Sequence, residues 1–189
     1  IIAGRSLAHA FAGSTDLNRI TGLDMLDTSN VTDMEEMFGA CGRDSKEFTL
    51  DLGDNFDTSN VTNMKMMFYD CGSLTLDLGN KFDTSKVTNM YGMFSGCGSR
   101  SFTLNLGDKF DTSNVTHMEG MFNYCGEYCP SFSIDFGDKF DTSNVTDMSE
   151  MFSNGSKSLT TLDLSTFNVG ENTKLDQFAY NTSVNTFIF

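Results

Sequence analysis

The chain has 189 residues, 39% of them hydrophobic and 12% aromatic, and its 18 Phe and 12 Met supply enough apolar side chain for one buried core, which excludes a disordered acidic tail. Twelve Lys and Arg stand against 26 Asp and Glu, a formal net charge of -14, so phosphate backbones and anionic membrane surfaces are repelled and nucleic-acid binding is excluded as a function class. No run approaches the roughly 20 apolar residues of a membrane-spanning helix, so no membrane insertion by this chain is expected.

In chain order, the sequence opens on Ile1 rather than Met, which is the expectation for a piece of a longer protein whose targeting and anchoring segments lie elsewhere. Residues 1–26 form a degenerate N-terminal repeat in which Leu7, Ala10 and Phe11 match Met34, Met37 and Phe38. The motif Asp-Thr-Ser-(Asn/Lys)-Val-Thr-x-Met-x-x-Met-Phe then starts at Asp27, Asp57, Asp83, Asp111 and Asp141, at intervals of 30, 26, 28 and 30. These five full repeats fill 27–166. A degenerate C-terminal repeat occupies 167–189, where Phe167, Asn168, Leu175 and Phe178 match Phe140, Asp141, Met148 and Met151. Degenerate ends are the pattern of terminal caps, so 1–189 is read as one repeat domain.

Within a unit, Val31, Met34, Met37 and Phe38 fall at i, i+3, i+6 and i+7, which predicts a two-turn helix with an inward apolar stripe and a Thr32–Glu35 capping box. Phe48–Leu52 alternates apolar and polar with period two, as do 74–78, 102–106 and 132–136, which predicts short strands with one buried face. All length variation falls between the Cys that follows Met-Phe and the strand Asp or Asn, at 10, 6, 8 and 10 residues; even steps preserve strand parity and suggest lengthened strands. The turn into the next Asp-Thr-Ser carries Gly, Asp and Asn. The fold expected is an α/β solenoid: a leucine-rich-repeat-like right-handed stack with a parallel β-sheet on one face and short helices on the other.

Stacking turns repeated residues into columns. With the Phe and Leu positions inward, the strands expose hydroxyls at Thr49, Thr75, Thr103, Ser133 and Thr161 and acids or amides at Asp51, Asp77, Asn105, Asp135 and Asp163, with Gly22 and Asp24 as the first members. This is either a solvated face or a binding surface for a basic protein or a polar glycan. Asp27, Asp57, Asp83, Asp111 and Asp141 invite calcium, but Lys86 interrupts the neighbouring Asn column, and the simpler reading is a turn and cap residue. Cys41, Cys71, Cys97 and Cys125 share one column as buried thiols; a disulfide framework, including Cys125 to Cys129, is the alternative. The paired methionines read as core. His9 and His117 lie in no metal or nucleophile motif, no phosphate loop is present, and neither an enzyme nor a cofactor is expected.

The string from Phe140 to Phe152 followed by Leu159–Phe167 closely resembles the BspA-like leucine-rich-repeat surface proteins of bacteria, and the resemblance spans nearly all of 7–178. It departs in its longer turns, Gly107–Phe110 and Gly137–Phe140. The resemblance implies an extracellular or cell-surface location and an adhesin-like, non-catalytic binding role toward host or matrix partners. The function expected is therefore a surface binding module whose Thr/Asp strand face docks an extracellular protein or glycan. The alternative is a structural spacer that displays another domain.

Overall fold

The computed structural model describes residues 1–79, 81–98, 102–106 and 109–189, with Thr103 and Asn105 described for their backbone alone; Gly107 and Asp108 of the first longer turn lie outside the described residues. Alternating apolar and polar residues form the strands where expected: β1 (Arg19–Ile20), β2 (Phe48–Asp51), β3 (Leu74–Asp77), β4 (Phe102–Asn105), β5 (Phe132–Asp135), β6 (Thr161–Asp163) and β7 (Thr186–Ile188). All pairings are parallel. Among the described residues they build three separate sheets, β1-β2-β3, β4-β5 and β6-β7, rather than one continuous face. In each four-residue strand the leading Phe or Leu is buried.

The expected α/β leucine-rich-repeat-like solenoid is not what the chain forms. Among the described residues there is no α-helix, only a 3-10 turn at Leu23–Met25, so there is no helical layer and no strand-to-helix crossover whose hand could be right. The reason lies in the backbone of the Met-x-x-Met-Phe segment. Glu36, Met66, Gly92, Gly120 and Glu150 all have φ between 51° and 61°, and Ala40, Asp70, Gly96, Tyr124 and Asn154 are left-handed as well. A left-handed residue every fourth position is incompatible with a right-handed helix.

The N–H groups follow suit. Met37, Gly39 and Cys41 bond back to the carbonyls of Met34, Glu36 and Phe38, closing successive tight turns, and in the first and last of these the third residue, Glu36 or Ala40, is left-handed. The alternate groups of Met34, Glu36, Phe38 and Ala40 donate to Asn63, Lys65, Met67 and Tyr69 of the next copy at 2.7 to 3.0 Å. Half of the hydrogen bonding a helix would keep internal thus runs between copies. Parallel bridges continue the row from Ser6 through Asp33, Asn63, Asn89, His117 and Asp147 to Lys174. The capping box is not made: the Thr32 hydroxyl donates to the Arg5 carbonyl, and Glu35 pairs with Lys65 at 2.9 Å. The variable segments 42–47 and 126–131 are turns and irregular chain, not lengthened strands.

The apolar stripe survives the change of backbone, because a turn every four residues also returns Val31, Met34, Met37 and Phe38 to one side, all fully buried. Six rings stack through the interior, Phe11, Phe38, Phe68, Phe94, Phe122 and Phe152, with centroids 5.4 to 5.8 Å apart and planes within 11° of parallel. Phe82, Phe110, Phe140 and Phe167 form a second file at 5.3 to 6.5 Å. Offset-stacked rings at such distances attract beyond their area burial.

Candidate functional site

Strand pairing settles which polar residues lie side by side. Thr49 is opposite Thr75 and Asp51 opposite Asp77; Thr103 is opposite Ser133 and Asn105 opposite Asp135; Thr161 and Asp163 face Thr186 and Ile188. Asp51, Thr75, Asp77, Ser133, Asp135, Thr161 and Asp163 are exposed and Thr49 is half-buried, while the side chains of Thr103 and Asn105 lie outside the described residues. The predicted residues thus fall into three groups on three sheets. A hollow of about 270 Å³ lined by Ser133, Ile134, Thr161, Leu162 and Asp163 lies where β5 and β6 fail to pair. Asp24 and Gly22 do not belong to these columns: β1 is Arg19–Ile20, with Arg19 opposite Thr49, and Asp24 sits in the 3-10 turn. Counting from the conserved spacing within full repeats misplaced the degenerate one.

The strand acids have a local task that sequence reasoning missed. Asp51, Asp77 and Asp135 each accept, through Oδ1, the N–H of the glycine two residues on, at 2.9, 2.9 and 3.1 Å, and Asp163 accepts that of Ser165 at 2.9 Å. The Ser165 hydroxyl and N–H hold the Asp163 carboxyl below its usual range. These are Asx turns that end the strands. Glycine at Gly79 is needed because its φ is +69° and a Cβ there would come within 2.4 Å of the Gly53 carbonyl in the neighbouring copy. The signal was legible as Asp-x-Gly at Asp51–Gly53, Asp77–Gly79 and Asp135–Gly137. Oδ2 of each acid is not used in the turn, so the row still presents negative charge on a face two strands wide.

The Asp-Thr-Ser turns are consumed by the fold. Asp27, Asp57, Asp83, Asp111 and Asp141 accept the N–H of Ser29, Ser59, Ser85, Ser113 and Ser143 at 2.8 to 3.1 Å, and hydrogen bonds from Ser29 and Ser113 lower the Asp27 and Asp111 carboxyls. Between them, Thr28, Thr58, Thr84, Thr112 and Thr142 are buried, and each hydroxyl donates to a carbonyl of the next copy at 2.8 or 2.9 Å. Asn114 and Asn144 donate to Ser85 and Ser113 carbonyls, and Lys86 occupies the same column by donating to Asn60 Oδ1 at 2.7 Å. No group of three or more His, Cys, Asp or Glu that could hold a metal is found among the described residues.

All five cysteines are free and buried. Cys41, Cys71 and Cys97 donate their thiols to the Phe11, Phe38 and Phe68 carbonyls at 3.1, 3.1 and 2.7 Å. Burial pushes the Cys41 thiol up to about 12 and the Cys71, Cys97 and Cys125 thiols up as well, so thiolate chemistry is suppressed.

A surface that sequence reasoning passed over lies on the turn ladder. A hollow of about 440 Å³ is walled by Tyr69, Tyr124 and Tyr128 with Asp70, Asn123 and Glu127. It adjoins one of about 190 Å³ that holds Tyr91, Glu119 and Glu150 and shares Tyr69, Ser95 and Asn123. Gly92, Gly96 and Gly120 are among the residues that line the two hollows. Four of the chain's five tyrosines flank this surface, and the signal was the position of Tyr69, Tyr91 and Tyr124 in or just after Met-x-x-Met-Phe in consecutive repeats.

The family described as "Mycoplasma protein of unknown function, DUF285" matches residues 5–133 and 98–188, and the chain belongs to it. No curated protein matches the chain, and no solved structure does. Among the described residues no helix is long and apolar enough to cross a membrane.

Proposed function

We propose that this member of the DUF285 family is a non-catalytic, adhesin-like binding module of the extracellular space or cell surface, and that the Thr and Asp strand face is its docking surface. The observation that carries this reading is the in-register row Thr49–Thr75 and Asp51–Asp77, held on paired strands with its acids unneutralised on Oδ2. Like charges opposite one another on paired strands are unfavourable, and a basic partner relieves them. The repeat's resemblance to BspA-like surface proteins supports the location and the adhesive role, and the net charge of -14 supports a basic protein partner over an anionic one. Against catalysis, the recurring Asp-Thr-Ser side chains are tied into turns and inter-copy bonds, and the thiols are buried.

The experiment is a binding screen of the 189-residue chain against extracellular proteins and a glycan array at low and high salt. A basic protein ligand whose binding weakens as salt rises supports the reading. An absence of any ligand in both screens supports the spacer role and overturns it.

A further inference from the structure

The geometry points to a second binding site, independent of the strand face: the tyrosine-walled groove on the turn ladder accepts an arginine side chain of a protein partner. Three observations converge. The groove combines tyrosines and carboxylates, Tyr69, Tyr124 and Tyr128 with Glu119 and Glu127, and no Lys or Arg is among the described residues that line it, the Asp70 carboxylate in its wall being paired with Arg43. Tyr124 and Tyr128 are 48% and 74% exposed, so both side chains are open to a partner. The chain's own cations already engage the flanks in the same way: Arg43 Nη1 lies 3.1 Å from Asp70 Oδ2, and Lys65 Nζ lies 5.9 Å over the Tyr91 ring while pairing with Glu35.

The chemistry selects arginine. A guanidinium is planar, stacks on a tyrosine face and donates two parallel N–H bonds to a carboxylate, whereas an ammonium is a compact, strongly hydrated charge. A volume of about 440 Å³ admits a whole arginine side chain with its neighbouring backbone.

The chain has five Tyr and no Trp, four of the five line the two hollows and the strand face carries none, so a change in tyrosine emission reports chiefly on this groove. The test titrates hexa-arginine, hexa-lysine and a neutral hexaglucan against the 189-residue chain at physiological salt, read by tyrosine emission and by calorimetry. Hexa-arginine is expected to give a saturable emission change at lower concentration than hexa-lysine or the glucan. Glu119→Gln with Glu127→Gln, and separately Tyr124→Ala with Tyr128→Ala, should each weaken hexa-arginine about tenfold. Asp51→Asn with Asp77→Asn removes the same charge from the strand face and should leave the emission titration unchanged. Three results would each overturn the site: weakening of the emission titration by the Asp51–Asp77 pair equal to that by the Glu119–Glu127 pair, an emission titration of hexa-arginine undiminished in the Glu119–Glu127 pair, or tighter binding of the glucan. None of them touches the strand-face reading, which stands or falls on variants of Asp51, Asp77 and Asp135.

Discussion

Replacing Gly120 by Ala separates the turn ladder from a helix by the sign of the effect. Gly120 has φ +61°, and a Cβ built there meets only Asn123 Cβ at 3.7 Å, an ordinary contact, so sterics with neighbours contribute nothing. What remains is the backbone. Holding Ala in the left-handed region costs about 1–2 kcal/mol, and the stiffer unfolded chain returns about 0.4–1 kcal/mol, which leaves a net loss of roughly 1 kcal/mol. In a helix interior the same substitution stabilises by about 1 kcal/mol. The two backbones therefore differ by about 2 kcal/mol with opposite signs, or some 2–4 °C in each direction for a chain of this size. Glu36→Gly, at φ +51°, should run the other way and stabilise or leave unchanged, since its pairing with His9 is a surface contact worth little. Thermal melts followed by circular dichroism supply the measurement. A rise in Tm for Gly120→Ala together with a fall for Glu36→Gly would refute the turn ladder.

Phe94 is fully buried between Phe68 at 5.4 Å and Phe122 at 5.8 Å, so Phe94→Ala should cost on the order of 3–5 kcal/mol by urea unfolding, and Phe11→Ala, half-buried with one stacked neighbour, should cost clearly less. Cys41, Cys71 and Cys97 should resist a thiol reagent in the native chain and react on denaturation; rapid native labelling of all three would show the ladder to be open. The folded chain keeps the Cys41 proton up to about 12 while the unfolded chain releases it near 9.0, as an ordinary thiol does, so this group's stabilisation is complete below pH 9 and fades as pH rises toward 12. Cys41→Ala should flatten that alkaline decline in a pH series of melts.

The strands and the core were legible because both rest on which side chains face inward, and the period-two pattern of Phe48–Leu52 and the apolar spacing of Val31–Phe38 report that directly. The helix was not, since i, i+3, i+6 and i+7 is satisfied equally by a helical turn and by a four-residue tight turn that repeats. The tie-breaker was present in the glycines: Gly92 and Gly120 occupy one column and Gly96 another, where a helix would place better formers. Splitting of the strands into three sheets left no trace in the strand residues themselves. At the candidate site, the columns were readable from the repeat, whereas the turn-closing role of Asp51, Asp77 and Asp135 required noticing the glycine two residues on. That role also changes the proper probe: alanine removes an acceptor from the turn, while asparagine keeps Oδ1 and removes only the charge.

The strand-face assignment is tested most directly by titrating the ligand from the binding screen against two variants of equal surface exposure. One carries Asp51→Asn, Asp77→Asn and Asp135→Asn; the other carries alanines at Lys46, Glu47 and Ser131, exposed positions of the variable segments outside the tyrosine groove. Loss of binding in the first with retention in the second is the predicted result. Normal binding by the asparagine variant, with loss in the variable-segment variant, would place recognition on the rim and contradict the account.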